Sequence, residues 1–95
     1  MSTLKQIETW FQAHCDGDWE HGAGIRISSL DNPGWAIEID IVGTELEEKT
    51  LSRTKVDRTE RDWLWSWTED GKFKASCGAS NLEEALLMFL QWSRS

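Results

Sequence analysis

The sequence predicts an α+β domain: a twisted antiparallel sheet of about five strands packed by an N-terminal and a C-terminal helix. Three observations carry this prediction. Apolar residues recur at helical spacing only near the two ends of the chain. Between those ends lie five segments in which apolar and polar residues alternate or β-branched residues cluster. Tight-turn sequences, Asp31-Asn32-Pro33-Gly34 and Asp70-Gly71, join two pairs of these segments, and strands joined so tightly pair antiparallel.

The elements follow in order. Thr3 is placed to cap the first helix, with Gln6 completing a capping box. Leu4, Ile7, Phe11 and His14 then form its apolar stripe, with Trp10 beside them, until Gly17 and the flanking Asp16 and Asp18 end it. Trp19 to Gly24 reads as irregular. Ile25–Leu30 and Trp35–Ile41 read as a hairpin, the second strand alternating Trp35, Ile37, Ile39 and Ile41 with Ala36, Glu38 and Asp40. Pro33 and Gly34 suit the two central positions of a type II turn. An acidic connection through Glu45, Glu47 and Glu48 leads to a weakly patterned strand from Lys49 to about Val56, expected at a sheet edge. Trp63, Trp65 and Trp67 alternate with Leu64, Ser66 and Thr68. Asp70-Gly71 turns the chain into Phe73, Ala75 and Cys77. Ser80 with Glu83, or Asn81 with Glu84, would cap the last helix, whose face is Leu82, Ala85, Leu86 and Phe89.

Ninety-five residues predict a single domain over 1–95. Area scaling gives about 5,600 Å² accessible when folded. The first five residues lack the features of a secretory signal, and no apolar window is long enough to span a bilayer, so a soluble, cytoplasmic protein is expected. Net charge is −7 and unevenly placed: residues 1–48 hold ten acids against Lys5 and Arg26, whereas residues 49–95 hold seven acids and eight bases. An acidic half argues against binding nucleic acid or anionic lipid and suits a basic protein partner, or simply a solvated surface. Cys15 and Cys77 have neither redox nor zinc spacing and read as reduced, partly buried thiols.

No motif for catalysis or a cofactor emerges. Asp16, Asp18, Glu20 and His21 are dense in potential ligands, but a calcium loop would need further donors and a Gly at its sixth position. Zinc would need more than His14 and His21. The expected role of Glu20 and His21 is to lock a loop by hydrogen bonds. There is no nucleophile elbow, phosphate loop or dinucleotide fingerprint, so neither an enzyme, a small-molecule substrate nor a metal is expected. Three indoles on one strand face are more informative. Exposed together they would make a patch of ~600 Å², at the upper end for soluble monomers. They are therefore either core beneath a helix, which the area favours, or an interface for a protein or for sugar rings.

Cys15-Asp16-Gly17-Asp18-Trp19-Glu20-His21-Gly22, followed by Leu30-Asp31-Asn32-Pro33-Gly34-Trp35, resembles the signature of the immunity protein 53 family. The likeness continues in Gly43-Thr44-Glu45-Leu46-Glu47, Glu69-Asp70-Gly71-Lys72-Phe73 and Asn81-Leu82-Glu83-Glu84, and spans about residues 4 to 92. Arg53–Arg61 and the Trp-rich strand carry no family pattern. The resemblance implies a small cytosolic antidote from a bacterial polymorphic toxin system, one that binds a cognate toxin without cofactor or catalysis. Trp19, Glu20, His21, Gly22, Asn32, Pro33, Gly34 and Trp35 are then expected to be structural, with Trp19 and Trp35 largely buried. The carboxylates expected to meet a basic cleft are Asp16, Asp18, Glu45, Glu47 and Glu48 on connections, with Glu38 and Asp40 on the wet face of their strand. An interaction module unconnected with a toxin, or a carbohydrate-binding one, is the alternative.

Overall fold

The computed structural model describes residues 1–95. Its elements are α1 (Thr3–His14), α2 (Trp19–Gly22), β1 (Ile25–Leu30), β2 (Gly34–Asp40), β3 (Thr54–Asp57), β4 (Trp63–Glu69), β5 (Lys72–Cys77) and α3 (Leu82–Arg94). The five strands form one antiparallel sheet in the order β1-β2-β5-β4-β3. Two hairpins, β1–β2 and β4–β5, lie side by side through the β2–β5 ladder, and β3 closes one edge. The α+β architecture read from the sequence is therefore the observed one. Accessible surface is 5854 Å², close to the value expected for this mass.

Both terminal helices pack on the same face of the sheet. Ile37, Ile39 and Ile41 from the β2 side, Phe73, Ala75 and Cys77 from β5, and Leu64 from β4 meet Ile7 of α1 and Ala85, Leu86, Phe89, Leu90 and Trp92 of α3. The centre is aromatic: the Phe89 ring lies 5.0 Å from Trp10 and 5.2 Å from Phe73, both edge-on, and Trp92 lies 5.5 Å from Phe73. Edge-on contacts suit the positive rim and negative face of aromatic rings. Arg94 donates to Gln6 Oε1 at 2.7 Å and ties the two helices together.

Several local readings are corrected. The cap of α1 is Ser2, whose side chain accepts from Lys5 N, not Thr3; Gln6 instead donates to the Met1 carbonyl. The inward side of α1 carries buried Ile7 with half-buried Trp10, Phe11 and His14, as expected, but Leu4 is 59% exposed. Trp19–Gly22 is a short helix, not an irregular segment. The third strand spans only Thr54–Asp57. Residues 49–53 stay outside the ladder, although Leu51 exchanges hydrogen bonds with Thr68. It is nevertheless an edge strand, as expected. The β1–β2 turn is not type II, because Gly34 is the first residue of β2 without positive φ; the Asn32–Pro33 peptide is cis. Gly34 is required for a different reason: a Cβ there would run into the Cys77 carbonyl oxygen of the neighbouring strand. Asp70 (φ 53°) and Gly71 (φ 73°) do adopt the left-handed pair that a two-residue hairpin turn needs. Asn81 caps α3 without bonding its backbone; its amide donates to the side chains of Glu84 and Asp62. Cys77 is buried, but Cys15 is exposed.

The largest correction concerns the indoles. Leu64 and Ser66 face the helices, so Trp63, Trp65 and Trp67 point to the face that no helix covers. Register decides this. Leu64 pairs with Cys77 and Ser66 with Ala75, both core residues, so the alternate positions of β4 must face outward. The space beneath the helices is already filled by Phe73, Phe89, Trp92 and Trp10.

Candidate functional site

The uncovered sheet face collects chemistry from every strand. Its floor is small, with Ser28 of β1, Ala36 of β2 and Ser76 of β5 in one cross-strand row that continues to Trp65 of β4 and Lys55 of β3. The next row runs Arg26, Glu38, Lys74 and Trp67. Trp63 and Trp65 meet with ring centres 5.6 Å apart. The Lys55 ammonium lies 4.7 Å from the Trp65 ring and the Arg53 guanidinium 4.3 Å from Trp67, within range for attraction to an indole face. Trp65 Nε1 donates to Asp57 Oδ1 (2.8 Å) and Trp67 Nε1 to Glu69 Oε1 (3.3 Å). The indoles are thus partly covered by their own neighbours and smaller as a patch than their full area suggests.

Arg26, Glu38, Asp40, Glu69, Lys72 and Lys74 on this face form ion pairs, whereas Arg53 and Lys55 lie over indoles. Arg26 lies 3.3 Å from Glu38 and 3.2 Å from Asp40. Lys72 lies 3.6 Å from Asp40, and Lys74 bridges Glu38 at 3.8 Å and Glu69 at 3.4 Å. Five bases (Arg26, Arg53, Lys55, Lys72, Lys74) against four acids (Glu38, Asp40, Asp57, Glu69) leave the face nearly neutral. The negative charge of the molecule therefore lies around it, on loops and helices.

Those loop acids fall into two groups. Asp16 Oδ1 accepts from the backbone N–H groups of Asp18 and Trp19, and Glu20 accepts from those of Asp16 and Gly17. The Trp19 and Asp18 N–H groups hold the Asp16 carboxyl below the usual range. Glu20 is lowered by its own backbone N–H and then, against some desolvation, by those of Asp16 and Gly17. Glu45 receives Trp10 Nε1 at 3.1 Å and lies 2.5 Å from His14 Nε2, while His14 Nδ1 is 2.8 Å from the Trp10 carbonyl. Burial pushes the Glu45 carboxyl up, but the hydrogen bonds from His14 and Trp10 outweigh it and hold it low. Glu47 accepts from Gly43 N at 2.8 Å. Asp16, Glu20, Glu45 and Glu47 thus fasten loops. Asp18 and Glu48 are exposed, and their side chains have no partner within the chain.

Of the other singled-out residues, Trp19, Glu20 and Trp35 make side-chain hydrogen bonds within the fold. Glu20 locks its loop, as anticipated, whereas His21 is exposed and takes no part. Trp19 donates to the Val42 carbonyl (3.1 Å) and Trp35 to that of Ala79 (2.9 Å); both are partly, not fully, buried. Gly22 has open space around it. Asn32 and Pro33 line a surface cavity of about 760 Å³ with Glu60, Arg61, Trp63, Ala79 and Ser80. Arg53 and Lys55 were not anticipated as site residues. Their signal was available: charges at 53, 55 and 57 alternate with the same period as the indoles at 63, 65 and 67.

The structure is thus a small antiparallel sheet with helices on one face only and an open face bearing three indoles, cations stacked on two of them and several ion pairs. No helix is long and apolar enough to cross a membrane. The chain belongs to the immunity protein 53 family, whose family model matches residues 4–94. Immunity proteins act against toxins and are generally non-enzymatic. No curated protein and no solved structure matches the chain.

Proposed function

We propose that this immunity protein neutralises a cognate toxin of a bacterial polymorphic toxin system by forming a stoichiometric complex, acting in the cytoplasm as one domain. The observation that carries the reading is the family match over residues 4–94. The toxin is expected to present a basic cleft to the acidic surface of this chain. Contact carboxylates come from the set Asp16, Asp18, Glu38, Asp40, Glu45, Glu47 and Glu48. Within it, Asp18 and Glu48 meet a cationic partner at least cost, because they leave no hydrogen bond behind. The Trp63–Trp67 ladder supplies the apolar centre of the contact, since Trp and Arg are enriched among the residues that dominate protein interfaces once a partner desolvates them.

Co-expression with the co-encoded toxin tests this directly. Cells should survive, and toxin and immunity protein should co-elute at a one-to-one ratio. Equal killing with and without this protein refutes the pairing. Association should slow as salt rises, because the screening length falls from ~10 Å at 0.1 M to ~3 Å at 1 M. The double variant Asp18→Asn, Glu48→Gln should lower the on-rate and flatten that dependence without changing thermal stability.

A further inference from the structure

The two edges of the sheet are built differently. On β3, the backbone groups that point away from β4 belong to Lys55 and Asp57, because the Arg58 N–H bonds inward to Asp62 and the direction alternates along the strand. That edge is short and charged, the usual protection against pairing with another chain. On β1 the Asp40 N–H bonds to the Gly24 carbonyl, so Gly24, Arg26 and Ser28 face β2. The outward N–H and C=O groups therefore belong to Ile25, Ile27 and Ser29, none of them charged. The strand is six residues long, without Pro or bulge, and its pairing with β2 is continuous. Ile27 is 42% exposed on the helix side of the sheet. The one charge on β1, Arg26, is already neutralised by Glu38 and Asp40.

We propose that the free edge of β1 pairs with β1 of a second copy of this chain, antiparallel about a two-fold axis through Ile27. The register is self-complementary. Ile27 faces Ile27 of the other copy, and Ile25 faces Ser29 in both directions. All three pairs use outward-pointing groups, which makes six backbone hydrogen bonds. On the open face Arg26 lies opposite Ser28, so no like charges face each other. The strand itself carries no acid, and the nearest carboxylates of β2, Glu38 and Asp40, are held by Arg26. The product is a continuous ten-stranded sheet with all terminal helices on one side and two indole ladders on the other. The contact is small, so the dimer is of the transient class that buries less than about 1,200 Å². This inference is independent of the proposed toxin partner and is tested on the protein alone.

Sedimentation velocity over a micromolar to near-millimolar series should show a monomer–dimer equilibrium that strengthens as salt screens the net charge. Ile27→Lys places two ammonium groups opposite each other and should weaken association at least tenfold, with an unchanged melting temperature because the side chain is exposed. In a Cys15→Ser background, Ile27→Cys should form an intermolecular disulfide on mild oxidation, since its Cα atoms would lie about 5.5 Å apart. Ser28→Cys should not, because its own copy is a diagonal neighbour at roughly 7–8 Å. A single 10.9 kDa species at every concentration overturns the proposal. So does a dimer indifferent to Ile27→Lys, or equal cross-linking at positions 27 and 28.

Discussion

Leu64 and Trp65 are neighbours in sequence but face opposite sides of β4, and paired truncations separate a folding role from a binding role. Leu64 is 5% exposed and packed among Cys77, Ala75 and the helix residues. Leu64→Ala should cost about 3 kcal/mol, within the range for buried leucines. For a domain of this size that lowers Tm by roughly 12–24 °C. Trp65→Ala removes a cation contact to Lys55, an edge contact to Trp63 and a hydrogen bond to Asp57. These surface contacts are each worth about 0.5–1 kcal/mol, so stability should fall by about 2 kcal/mol. Binding should respond in the opposite order. Loss of a central indole weakens a protein contact by about 2 kcal/mol or more, some thirtyfold in Kd, whereas Leu64→Ala should leave Kd nearly unchanged while the protein is folded. Urea unfolding gives the first quantity and calorimetric titration with the toxin domain the second. The reasoning is refuted if Trp65→Ala leaves Kd unchanged, or if Leu64→Ala weakens binding more than Trp65→Ala does.

Three further outcomes follow from the same geometry. Gly34→Ala forces a methyl group against the Cys77 carbonyl of the adjacent strand and should cost about 1–3 kcal/mol in chemical denaturation, while Gly22→Ala, with nothing within 4 Å, should cost nothing. Asp16, Glu20, Glu45 and Asp62 are all held below the ordinary carboxyl range in the folded chain, Asp62 chiefly by Arg58 and then Asn81. A depressed folded-state pKa adds stability above the unfolded value and loses it as pH falls through the folded one. Tm should therefore be flat above about pH 5 and drop below about pH 4, a trend that Glu20→Gln should shrink. Cys77 is buried with its thiol pushed up to about 11 by desolvation. A thiol reagent should therefore modify Cys15 alone in the native protein and both cysteines after denaturation; rapid reaction of two native thiols would contradict the packing of β5.

The sequence by itself determined the element types and most of their order. The two-residue alternation of β2, β4 and β5, the left-handed pair at Asp70-Gly71 and the apolar stripe of α3 are local signals, and each survives intact because neighbouring residues alone produce it. The loop role of Glu20 was legible for the same reason, since its partners lie within four residues. What only the tertiary structure decided is which face of each strand looks inward. Alternation says that Trp63, Trp65 and Trp67 share a side, but not which side. That choice follows from pairing with β5, where Ala75 and Cys77 claim the core and force the smaller Leu64 and Ser66 inward against them. The same holds for the acids. Glu45 and Glu48 look alike in one acidic run, yet Glu45 is clamped by Trp10 and His14, which lie 35 and 31 residues away in the chain, while Glu48 is free. Composition locates a charge along the chain, but the partner that captures it is brought there by long-range packing, which no local pattern encodes.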